Sequence, residues 1–128
     1  MPHIVLAGSV PAREVVARIE PRVGRWGRAV LKTESCWLRQ DEMAVLVEGV
    51  VVELSRPLHP VGLVEGRGTG TIVRLWRRAP VERTAAVQRW LALLAADLCA
   101  WGAGPLLATN LPSELWVDLA LGASPGAD

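Results

Sequence analysis

The sequence predicts an α+β fold, a two-layer sandwich in which an antiparallel sheet of four to five strands carries a short N-terminal helix and one long helix on a face. Three observations lead there. A valine-rich run, Met43 to Leu54, follows an alternating run, Ala29 to Leu38, across the polar cluster Arg39-Gln40-Asp41-Glu42; two such runs joined by a turn read as a hairpin. The segment Pro80 to Trp101 is helix-periodic and apolar on nearly every side. Most strand candidates follow one another without helices between them, which favours antiparallel pairing.

The elements follow in order. His3 to Val10 reads as a first strand, and Ser9 is placed to cap a helix that begins near Pro11. In that helix Val15, Val16 and Ile19 share one side, and Pro21 stops it. Gly24 and Gly27 loosen the chain around Trp26. In the hairpin that follows, Leu31, Thr33, Ser35 and Trp37 alternate with Lys32, Glu34 and Cys36. Its second strand is apolar on both faces, so it belongs in the middle of the sheet with something covering each side. Gly49 there suits a bulge or a close approach.

Ser55 to Pro60 reads as a loop, because its two prolines cannot donate to a ladder. Val61 to Glu65 and Thr71 to Arg77 are strands on either side of a glycine-rich turn. The long helix ends at the stop signal Gly102 to Pro105. Leu106 to Leu111 is an edge strand or irregular, and Ser113 caps a last helical piece. The element order is ferredoxin-like with an extra strand before the second helix. Residues 1–121 form a single domain and residues 122–128 a disordered tail.

Composition bounds the function classes. In 128 residues, 14 basic side chains face 13 acidic ones, a balance that disfavours a dedicated nucleic-acid binder. Lys32 is the one lysine among them, and six tryptophans occur without Phe or Tyr; a GC-rich bacterial genome explains both biases. The N-terminus lacks a signal-peptide pattern, and charges interrupt every apolar run before membrane-spanning length. The expected location is cytoplasmic, with Cys36 and Cys99 reduced and buried.

No residue pattern carries a catalytic signature, and no cofactor is implied, so enzyme is the less favoured class. Gly66-Arg67-Gly68-Thr69-Gly70 precedes a strand and has no helix to open, unlike a phosphate loop. His3, His59, Cys36 and Cys99 lack ligand spacing, so no metal site is expected. Asp41-Glu42 sits at a hairpin tip, and His59 has no nucleophile or carboxylate beside it.

Contact is the favoured function. Val87, Leu91, Leu94 and Leu98 share a narrow arc that should face the sheet. Leu93, flanked by Trp90 and Trp101, shares the opposite side with Glu82, Arg89 and Asp97. Either the C-terminal piece with Leu115, Trp116 and Leu119 covers that side, or a second copy does; two-fold homodimers are the commonest assembly. The expectation is a protein-interaction or regulatory domain that self-associates through Trp90, Leu93 and Trp101, with a further protein partner. The alternative is a binding domain for nucleic acid or a small anion at Arg74, Trp76, Arg77 and Arg78 or along the basic segment Arg13 to Arg39, or for a small molecule between sheet and helix.

Overall fold

A computed structural model describes residues 1–121; the tail expected over 122–128 lies outside the described residues. The strands are β1 (His3–Leu6), β2 (Arg22–Trp26), β3 (Ala29–Leu38), β4 (Ala44–Glu53), β5 (Arg56–Leu58), β6 (Val61–Arg67), β7 (Gly70–Leu75) and β8 (Leu106–Thr109). The helices are α1 (Ala12–Arg18) and α2 (Ala85–Leu98). The sheet runs β2-β3-β4-β6-β7-β1-β8, with β5 beside the second half of β4, and it curls into a half-barrel.

This corrects the sequence expectation. There are eight strands rather than four to five, and every pairing is antiparallel. A ferredoxin-like chain places only two strands between its helices, in the order β-α-β-β-α-β, whereas six strands, β2 to β7, run here between α1 and α2, so that order does not apply. Two of the added strands are poor in strand formers. β2 holds Gly24 close to two arginines, and β5 holds Pro57. Pro57 is accommodated because β5 pairs only with β4, leaving its other side without a ladder.

The core lies on the inner side of the curl. Ile4 and Leu6 from β1, Val45, Val47 and Val51 from β4, and Val73 and Leu75 from β7 meet Val87, Leu91, Leu94 and Leu98 of α2. This helix starts later than Pro80. Its cap is Thr84, whose hydroxyl accepts from the Val87 N–H at 3.1 Å. Its last turn widens over Cys99–Ala103, where Gly102 takes φ +110. The short helix α1 follows Pro11 and has no side-chain cap, so Ser9 does not serve as one.

One inner contact sets the helix position. Trp90 is 2% exposed, and its indole lies on β4 and β6 where Gly49 and Gly62 replace side chains. A Cβ on Gly49 would sit 2.6 Å from two indole carbons, and one on Gly62 would sit 3.3 Å from two others. Opposite Gly49, the β3 ladder skips Glu34 in a bulge between Thr33 and Ser35. The outer side of the sheet carries a smaller apolar cluster, Ala44, Leu46, Val61 and Leu63, against which Trp76 and Ala79 pack.

After β8 the chain turns back over α2. Leu115 is buried, and Trp116 and Leu119 pack against the core. No helix of the described residues is long and apolar enough to cross a membrane.

Candidate functional site

The residues expected to touch a partner occupy different environments. Trp90 is buried inside its own chain, where it lines part of the groove described below, while Leu93 and Trp101 are half-buried against the core. Arg74 lies on β7, 4.0 Å from the Glu65 carboxylate, and Trp76 lies on the outer apolar cluster. Arg77 and Arg78 are exposed in the turn after β7. Trp76 and Arg77 line one pocket of about 230 Å³ together with Arg83, and Arg74 and Arg78 are not part of its lining. In the basic segment, Arg13 pairs with Glu42, Arg18 with Glu14, Arg22 with Asp97, and Arg39 with Asp41 and Glu65.

Polar groups converge instead in a groove between the β2–β3 edge and α2. The larger chamber, about 240 Å³, is lined by Arg22, Gly24, Leu31, Thr33, Arg89 and Leu93 among others. A smaller one, about 160 Å³, continues past Arg22 and Thr33 to Ile19, Asp97 and Trp101. β2 is an edge strand, and a side chain at Gly24 would meet nothing within 4 Å, so the groove stays open on that side.

Its polar groups are mostly donors. Trp90 Nε1–H donates to Thr33 Oγ1 at 3.3 Å, which leaves the hydroxyl's own proton to donate elsewhere. Arg89, only 8% exposed, donates from Nη1 to the Leu115 carbonyl at 3.1 Å and to Asp118 Oδ1 at 2.6 Å, and from Nη2 to Asp118 Oδ2 at 3.0 Å. Its guanidinium also lies 6.0 Å from the centre of the Trp26 ring. Arg89 Nε is buried and has no acceptor among the described residues. A buried donor left unpaired costs about 1–3 kcal/mol. Arg22 holds Asp97 at 2.6 Å beside the same groove.

The titratable groups fit this picture. The hydrogen bonds from Arg89 hold the Asp118 carboxyl below the usual aspartate range. The Cys36 and Cys99 thiols are pushed up by burial, so neither is an activated nucleophile. Among the described residues no three His, Cys, Asp or Glu side chains are grouped to hold a metal ion. His59 sits exposed in the loop after β5, and the glycine-rich run closes the β6–β7 hairpin, where Gly68 takes φ +57.

Thr33 and Arg89 do not stand out as site residues in the sequence. Thr33 reads there as one member of an alternating strand, and Arg89 as a charge on one side of a helix. The available signal is the mixed side of α2, where a charge sits among Leu and Trp. No protein-family model, curated protein or solved structure matches this chain.

Proposed function

We propose that this chain is a small binding domain whose ligand is an apolar anion, an alkyl or aryl carboxylate, held between the β2–β3 edge and α2. The observation that carries this reading is Arg89, a buried guanidinium whose Nε–H lacks an acceptor among the described residues on the wall of an open groove. Leu31 and Leu93 supply apolar surface for the body of the ligand. Thr33, Arg22 and Arg89 supply donors for a carboxylate, and hydrogen bonds involving charge are the strong ones. The test is titration with phenylacetate and with its neutral counterpart phenylethanol, followed through the Trp90 indole N–H resonance. Saturable binding of the acid, weakened roughly tenfold in Arg22→Gln, is expected. Equal response to acid and alcohol would sink the reading.

Protein contact through self-association is the second reading. Its support is apolar exposure away from α2. Trp37, 40% exposed, pairs across the ladder with Leu46 of the outer cluster, and Met43 is 60% exposed beside Ala44 of the same cluster. A particle of twice 13.8 kDa that becomes a monomer in Trp37→Glu supports it. A monomeric wild type removes it.

A further inference from the structure

A separate depression, of about 380 Å³, lies between the β2–β3 turn, the β4–β5 turn and the first turn of α2. Trp26, Arg28, Ala29, Glu53, Leu54 and Ala86 line it. Three observations distinguish it from an ordinary surface hollow. Glu53 Oε2 is buried and has no donor among the described residues. Arg28, exposed in the β2–β3 turn, forms no ion pair with another described residue. Leu54 is 90% exposed at φ +49, next to Ser55 at φ +63.

Leu54 is the informative oddity. A two-residue turn with both positions left-handed favours Asn-Gly or Asp-Gly, and a bulky apolar residue there is strained and wetted at once. Backbone outliers of this kind gather at ligand clamps. In this turn the leucine forms an apolar wall of the notch that also holds Trp26. An orphaned carboxylate oxygen, an exposed guanidinium and an apolar wall are the complements of an ammonium, a carboxylate and an aliphatic side chain.

We propose that this notch binds an apolar α-amino acid, its ammonium on Glu53, its carboxylate on Arg28 and its side chain between Trp26 and Leu54. An ammonium has three donors and no acceptor, which suits a carboxylate with an unused oxygen. The pair of charged anchors selects the zwitterion over either half of it. The notch shares no lining residue with the groove beside α2, although its Trp26 ring lies 6.0 Å from the groove's Arg89.

The experiment titrates the full chain with L-leucine, 4-methylpentanoate and isoamylamine, following the Trp26 indole N–H resonance. Expected is saturable binding of leucine, tighter than either comparator. Glu53→Gln, nearly isosteric, weakens leucine at least about tenfold, since hydrogen bonds to a charged group are the strong class. Arg28→Gln brings leucine down to the level of isoamylamine. Leu54→Asn, which suits the turn, keeps the protein folded and weakens leucine while sparing glycine. No saturation at tens of millimolar overturns the proposal, as does a Glu53→Gln affinity equal to wild type. Leucine no tighter than isoamylamine overturns it too.

Discussion

Adding one methyl group at Gly49 tests whether the helix is seated by the Trp90 indole. In Gly49→Ala the new Cβ falls 2.6 Å from Cε2 and Cζ2 and 2.8 Å from Nε1 of that ring. Real Cβ atoms do not approach so closely, and the ring is the rigid face of a buried side chain. The indole must move away from the sheet, against the core that surrounds it. Overpacking of this kind costs about 1–3 kcal/mol. Tilting the ring also stretches the 3.3 Å bond to Thr33, worth about 1 kcal/mol. The sum is about 2–4 kcal/mol, against a total stability of about 6–19 kcal/mol for 128 residues. At this size each kcal/mol moves Tm by about 3–5 °C, so a drop of roughly 6–20 °C is expected.

The assay is urea unfolding followed by Trp fluorescence, with near-ultraviolet circular dichroism to report the indole environment. Gly66→Ala is the control, because a Cβ there meets nothing within 4 Å; it should be neutral or slightly stabilising. Trp90→Phe supplies the decisive comparison. With a smaller ring in the notch, Gly49→Ala should cost less than it does in wild type, giving a coupling of about 1–2 kcal/mol. A Gly49→Ala cost below about 0.5 kcal/mol, or no coupling to Trp90→Phe, refutes the reasoning.

Three further outcomes follow from the same contacts. Thr33→Val strips the acceptor from the Trp90 indole and should cost about 1–3 kcal/mol in urea unfolding, the penalty of a buried unpaired donor. Asp118 has its carboxyl lowered by Arg89, so its contribution is present above the unfolded aspartate range and is lost as pH falls through the folded value. Asp118→Asn should therefore lower stability at neutral pH and flatten the loss of stability on acidification, measured by thermal melts from pH 7 to pH 2. Cys36 and Cys99, their thiols pushed up by burial, should react with a disulfide reagent at pH 8 far more slowly in the native protein than after unfolding in urea; equal rates would show that both sites are open.

What could be read in the sequence was set by periodicity. The hairpin of β3 and β4 stood out because alternation on one strand met a valine run on the other. The buried arc Val87, Leu91, Leu94 and Leu98 stood out because helical spacing gathers it. β2 did not, since Arg22, Gly24 and Arg25 carry no strand preference, and β3 supplies its ladder. β5 was hidden by Pro57, which only an unpaired side tolerates. The mixed side of α2 signalled a covering, and Arg89 is covered by Leu115 and Asp118 of the same chain. Gly49 signalled a close approach without naming what approaches. That partner, Trp90, lies far along the chain, and only the folded sheet brings Gly49 and Gly62 together under it. The groove was out of reach for the same reason, because Thr33 and Arg89 meet only through packing.

The placement of β1 has a consequence for how the chain is made. It lies between β7 and β8, and Thr109 Oγ1 donates to the His3 carbonyl across 106 positions of sequence. During synthesis β1 precedes both of its partners, gains β7 first, and gains β8 only later. At about 5–20 residues per second the full wait is roughly 5–20 s. Until β8 arrives, β1 presents an unpaired edge, the kind of strand that recruits other chains. Slow codons or a chaperone acting between the synthesis of β7 and that of β8 would thus bear on yield more than the same events after β8 has paired.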